Sequence, residues 1–190
     1  MNGATSIEPA DPTRTALPDG VRLIDLAGQS DDRGTFTEMF RRDGEAGIDP
    51  VQWNAVRSKP GTLRGVHVHL RHWDYLLMAA GSMTLALRDL RAESTTNGLA
   101  TTIELSADVK SAAVIPPGVA HGFRFRETSI HIYAVSEYWD LADELGCRWD
   151  DPALGIQWPG EPSLVSARDL GLPSLDRLLE ILAPHQREFC

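Results

Sequence analysis

The chain has 190 residues, 42% of them apolar and 24% charged, with a formal net charge of −9 at pH 7. That length carries one core-forming domain and is short for two. The acidic balance argues against a nucleic-acid backbone as partner, and no run approaches the ~18 apolar residues of a membrane span. With no signal-peptide h-region either, the expectation is a cytoplasmic protein that engages neither nucleic acid nor membrane. Residues 1–20, rich in Pro, Ala, Asp and Thr without periodicity, read as a mobile arm, and 21–190 as a single domain. The chain then reads as short strands: VRLIDL (21–26), GTFTEMF (34–40), VQWNAV (51–56), TLRGVHVHL (62–70), WDYLLMAA (73–80) and SMTLALRDL (82–90). TTIELS (101–106), SAAVIP (111–116), GVAHGFRF (118–125) and SIHIYAVS (129–136) complete them. Strands spaced by roughly 8–12 residues, with Gly, Pro, Asn and Asp between, indicate an all-β sandwich or barrel. Met83, Leu85 and Leu87 alternate as the inward face of one strand. PSLDRLLEIL (173–182), with a proline start and apolar residues at helical spacing, predicts a small C-terminal helical cap. Cys147 and Cys190 show no disulfide spacing.

Chemistry-bearing residues concentrate in RGVHVHLRHWDY, residues 64–75. Alternate strand residues share a face, so His67 and His69 are expected to point the same way. Gly61, His67-Val68-His69, Asp74 and Gly81 resemble the first motif of the cupins, small jelly-roll barrels, with Asp in place of the motif's Glu. Pro116, Gly118 and His121 are similar to the second motif, although Lys110 and Phe125 replace its flanking Gly and Asn. The resemblance implies a cupin/jelly-roll β-barrel. Three imidazoles and a carboxylate (His67, His69, Asp74, His121) suit a divalent metal such as Mn, Fe, Ni, Cu or Zn. A plain polar strand lining accounts for the same residues without one.

A longer series of motifs falls in order: DDRGTFTEMF (31–40), QWN (52–54), LRGVH (63–67), PPGVAHGF (116–123), RWDDPALGIQWP (148–159), SARD (166–169) and the closing LPSL. Over about residues 22–178 these resemble the dTDP-4-dehydrorhamnose 3,5-epimerase family, sugar-nucleotide epimerases on the cupin barrel. The resemblance implies that His67 abstracts the proton next to a 4-keto group, that Asp169 orients it, and that Tyr133, eleven residues before Glu144, reprotonates the opposite face. An imidazole has an ordinary pKa near ~6.5, and a buried carboxylate fixes its tautomer and raises its basicity. It further implies that Arg33, Glu38, Gln52, Asn54 and Arg64 contact the nucleotide, pyrophosphate and sugar, that His121 belongs to the same site, and that Tyr138 or Trp139 packs against the base. Arginine suits a pyrophosphate through bidentate hydrogen bonds. Strand parity puts Arg64 opposite His67 unless Gly65 occupies a bulge. A homodimer in which RGTFTE reaches the neighbour's site is implied too, with a dTDP-linked sugar as ligand and no cofactor.

Two positions depart from that family. His69 stands where the family has Gln, and Asp74 stands where it has a lysine beside the developing enolate oxygen. An acid there repels an enolate, and the same two residues complete the cupin tetrad. The expected function is therefore epimerisation at C3, C5 or both of a nucleotide-diphosphate 4-keto-6-deoxy sugar through an enolate. The alternative is a metal-dependent cupin isomerase or dioxygenase using His67, His69, Asp74 and His121, in which His67 is a ligand rather than a free base.

Overall fold

The computed structural model of the chain describes residues 15–189. Between turns rich in Gly, Pro and Asp the chain forms β1 (Arg22–Asp25), β2 (Gly28–Asp31), β3 (Gly34–Thr37), β4 (Gln52–Ser58), β5 (Thr62–Val68) and β6 (Asp74–Ala80). β7 (Ser82–Asp89), β8 (Ala100–Ser106), β9 (Ser111–Ile115), β10 (Val119–Arg124) and β11 (Ser129–Val135) follow. The C-terminal part adds β12 (Leu145–Gly146), β13 (Leu164–Val165), α1 (Ala167–Leu170) and α2 (Leu175–Leu182). Every stretch read as a strand contains one; β2, β12 and β13 are additional. Of the arm expected over 1–20, residues 1–14 lie outside the described residues. Pro18 is buried, and the Asp19 N–H donates to Thr96 Oγ1 at 2.7 Å.

Two sheets make the barrel. One runs β1-β9-β6-β11-β4, the other β12-β5-β10-β7-β8 with β13 paired to β5 in parallel, and β2 and β3 form a separate hairpin. This is the all-β jelly roll of the cupin type, capped by a small helical segment. Leu76 and Met78 from the first sheet meet Met83, Leu85, Leu87 and Phe125 from the second in the shared core. A fully buried Leu or Phe contributes ~1.5–3 kcal/mol, so this interface dominates the stability of the barrel. Tyr75 and Leu77, the alternate residues of β6, pack on the outer side of their sheet against Ala46, Ile48 and Val114. Burial on both faces explains why YLLMAA is a continuous apolar run rather than an alternating one. The third cluster sets Leu175, Leu178 and Leu182 of α2 against Val66 and Val68 of β5, with Cys147 buried among them. The cap begins at Ser174, whose side chain accepts from the Arg177 N–H, and backs the site strand from outside.

One irregularity sets the face that β5 presents. His121 pairs with His67 and Phe123 with Arg64, so two residues of β5 oppose one of β10. The bulge falls at Gly65, whose φ is +101° and whose missing Cβ would lie 2.8 Å from the His121 carbonyl oxygen. Only glycine fits there. The extra residue brings Arg64 and His67 to the same side of the strand.

Candidate active site

The interior of the barrel opens into a cavity of about 570 Å³. Arg64, His67, His69 and His121 reach it from β5, β10 and the segment after β5; Asp74 and Tyr133 reach it from the opposite sheet. Trp139, Glu144, Arg168 and Asp169 close its rim. Of the residues expected at the site, these shared liners are Arg64, His67, His69, Asp74, His121, Tyr133, Trp139 and Asp169.

The His67–Asp169 pair is built by the C-terminal segment. β13 runs alongside β5, and Ser166 then caps α1 by accepting from the Asp169 N–H at 3.0 Å. That turn delivers Asp169 beneath β5. The His67 Nε2–H donates to Asp169 Oδ1 at 2.9 Å, and the Gly65 N–H donates to Asp169 Oδ2 at 3.3 Å. A carboxylate only accepts, so the ring proton belongs on Nε2 and the lone pair on Nδ1. Burial acts to raise the Asp169 carboxyl, but the hydrogen bonds from His67 and Gly65 outweigh it and hold the group below its ordinary value. Tyr133 stands on β11, across the cavity from β5. Burial raises its phenol, with Glu144 and Asp74 adding to the effect, so it stays protonated at neutral pH.

Further expected residues fall outside the lining. Arg33 lies at the β2–β3 turn, paired with Asp31 at 2.6 Å, its side chain 90% exposed. Glu38 accepts from Arg41 Nε at 2.8 Å and borders a separate, smaller cavity. Gln52 and Asn54 share the face of β4 that carries the cavity-lining Val56. Gln52 Oε1 accepts from the Trp139 N–H at 3.0 Å, so Gln52 positions an aromatic that does line the cavity. Of the two aromatics expected near the base, Trp139 lines the cavity, whereas Tyr138 is 75% exposed and does not.

Site residues missed from the sequence include Arg168, which lines the cavity, and two others. Glu144 accepts from the Trp139 Nε1–H at 2.9 Å and places its carboxylate 3.9 Å from His67 Nδ1 and 3.8 Å from His69 Nδ1. Its spacing from Tyr133 was the only signal. His72 is the other. The ligand atoms of His69, His72 and Asp74 all lie within 4.8 Å of one another. The tetrad expected from cupin spacing is thus corrected: His67 turns to Asp169, and His72, from the turn before β6, stands beside Asp74. Parity could not show this, because β5 ends at Val68 and residues 69–73 are not on a strand.

The cluster is strongly polarised by burial. Burial pushes His121 down to about 3, and it pushes His69 well below its ordinary value, with His121 and His72 adding to the effect. Burial also opposes charge on His72, but the hydrogen bond to Asp143 and the nearby Asp74 prevail and raise it. Asp74 is pushed up to about 7 by burial, with His72 opposing and Glu144 and Asp143 reinforcing the rise.

An imidazole held by a carboxylate on one wall, a protonated phenol on the other and an arginine beside them are groups that can exchange protons with a molecule bound between them. A model of the dTDP-4-dehydrorhamnose 3,5-epimerase family matches residues 14–177. The dTDP-4-dehydrorhamnose 3,5-epimerase of Pseudomonas aeruginosa is 36% identical over 166 residues, covering 83% of this chain and 91% of its own. The crystal structure of the Bacillus anthracis epimerase, with TDP and PPi bound, superposes with a TM-score of 0.77 at 31% identity, covering 82% of this chain and 94% of that one. NovW, a 4-keto-6-deoxy sugar epimerase of Streptomyces spheroides, superposes at 0.81 with 26% identity, covering 93% and 95%. No helix among the described residues is long and apolar enough to cross a membrane. The match over most of the chain, together with a barrel that superposes on those of the solved epimerases, makes this protein a member of the dTDP-4-dehydrorhamnose 3,5-epimerase family.

Proposed function

We propose that the protein epimerises a nucleotide-diphosphate-linked 4-keto-6-deoxy sugar, carried on dTDP, at C3, C5 or both. The observation that carries the reading is the His67–Asp169 pair facing Tyr133 across one cavity. His67 Nδ1 takes the proton from the carbon next to the ketone, and Asp169 holds the ring in the tautomer that permits it and stabilises the imidazolium that forms. The resulting enolate is planar at that carbon. Tyr133, on the opposite wall, returns a proton to the other face, and the configuration inverts. Arg64 and Arg168 line the same cavity and supply positive charge for the diphosphate and the enolate oxygen. The mechanism asks no cofactor of the His67–Tyr133 step.

A homodimer in a cytoplasmic setting belongs to this reading. The position of Arg33 and Glu38 away from their own cavity supports a role for the β2–β3 hairpin in a neighbour's site, and Phe36 on that hairpin is 71% exposed. The test is incubation of dTDP-4-keto-6-deoxyglucose with enzyme in deuterium oxide, with C3 and C5 followed by NMR. Wild-type protein is expected to incorporate deuterium with inversion. Tyr133→Phe is expected to keep exchange at the base-facing side and to lose inversion. Absence of exchange at both carbons in the wild type overturns the proposal.

A further inference from the structure

We infer that His69, His72 and Asp74, with His121 beside them, form a binding site for one divalent first-row transition-metal ion, next to the proton-transfer pair and separate from it. Nε2 of His69, His72 and His121 lie 3.9, 3.8 and 3.9 Å from a single atom, Asp74 Oδ2. Those separations are too long for hydrogen bonds. They exceed by about half an ångström the ~3.3 Å edge of a tetrahedron built on ~2.0–2.1 Å bonds, and the ligand atoms of His69, His72 and Asp74 form the tighter set, all within 4.8 Å of one another.

The second observation is on the far side of each ring. His69 Nδ1 meets the Asp143 carbonyl oxygen at 3.2 Å, His72 Nδ1 meets Asp143 Oδ2 at 3.2 Å, and His121 Nδ1 meets the Val119 carbonyl oxygen at 3.1 Å. Carbonyl and carboxylate oxygens only accept, so each Nδ1 carries a proton. All three Nε2 atoms then lie on the side of the rings that faces one Asp74 oxygen. Imidazole ligands of metals are oriented by this same outer hydrogen bond. Among the described residues no hydrogen bond ends on the Asp74 carboxylate, although the residue is 7% exposed. A buried carboxylate without a hydrogen-bond donor on it is stabilised by a neighbouring cation. Imidazole nitrogens with a single carboxylate oxygen suit zinc, iron, nickel or copper rather than magnesium or calcium.

His67 is not among the ligands, so a bound metal leaves the base free. A dication there also offsets negative charge in a cavity lined by Asp74, Glu144 and Asp169. The site stands on its own geometry and not on the sugar reaction.

The test uses full-length, untagged protein stripped with chelator and titrated with Zn²⁺ by calorimetry and with Co²⁺ by visible absorption, without substrate. The expected result is one ion per chain, a raised thermal midpoint and the intense bands of a low-coordinate Co²⁺ site. His72→Ala and Asp74→Asn are expected to abolish the stoichiometric event, and His185→Ala, on the surface, to leave it intact. No one-to-one binding in the wild type, or unchanged binding in both ligand variants, overturns the site and identifies the cluster as a protonated His72–Asp74 pair. Should either variant fail to fold by circular dichroism, the wild-type Co²⁺ spectrum decides: weak six-coordinate bands overturn the proposal.

Discussion

Replacing Asp169 by asparagine exchanges one oxygen for an amide nitrogen and leaves the side-chain volume almost unchanged. Asp169 Oδ2 accepts from the Gly65 N–H, and Oδ1 accepts from His67 Nε2–H. The amide has only one oxygen, and a backbone N–H cannot pair with an NH₂ group, so that oxygen must turn to Gly65. The NH₂ then faces His67, Nε2 must become the acceptor, and the ring proton moves to Nδ1. That is the nitrogen assigned to take the substrate proton. A positioned general base contributes ~10²–10⁴ in rate, and its loss corresponds to ~3–5 kcal/mol of barrier at ~1.36 kcal/mol per decade. Because Asp169 lies behind the imidazole, KM is expected to stay near its wild-type value while kcat falls by that factor. The assay is the rate of deuterium incorporation next to the ketone under saturating substrate, with circular dichroism as the control for folding. A folded Asp169→Asn protein that exchanges at the wild-type rate refutes the tautomer argument.

Three more outcomes follow from features already described. Asp169 is ionised more readily in the folded chain than in the unfolded one, because its hydrogen bonds from His67 and Gly65 outweigh the opposing effect of burial. Its pairing therefore contributes stability above the unfolded carboxylate value of ~3.9 and loses it as pH falls through the lower folded value. In denaturant titrations the stability gap between wild type and Asp169→Asn should be present near neutral pH and shrink below about pH 4; a gap independent of pH contradicts the pairing. Gly65→Ala places a Cβ 2.8 Å from the His121 carbonyl oxygen at a φ of +101°. A cost of at least ~1–3 kcal/mol is expected, read as a lowered thermal midpoint together with weakened exchange. Leu178→Ala removes a 1% exposed side chain from between α2 and β5. It should cost ~2–5 kcal/mol in chemical unfolding. Turnover below the melting range should be retained, since Leu178 packs in the cluster behind β5 and does not line the cavity.

The barrel was legible because its central strands carry apolar residues in alternation, as Met83, Leu85 and Leu87 do, or run apolar throughout, as β6 does. β2, β12 and β13 were not, for a common reason: they are short, and β12 and β13 owe their strand geometry to pairing with β5 from far along the chain. At the site, residue types and motif order brought His67, Tyr133 and Asp169 to one cavity. The side occupied by Arg64 depends on a bulge that a glycine permits but does not dictate. His72 was hidden because a residue in a turn has no parity to read, and Glu144 because its role arises from a loop folding back over β5. Arg33, Glu38 and Tyr138 mark the other limit, where a motif identifies a residue without saying which cavity it serves.

The parallel pairing of β13 with β5 has a consequence for how the protein comes into being. His67 and Asp169 are 102 residues apart in sequence. On the ribosome, the strands that build the barrel emerge well before Asp169 does, at ~5–20 residues per second. During that interval the nascent chain holds its base without the carboxylate that orients it. Completion of the site is therefore coupled to completion of synthesis: a chain released before Ser166 and α1 is left with a ring free to choose either tautomer. The pair can form only once residue 169 has emerged.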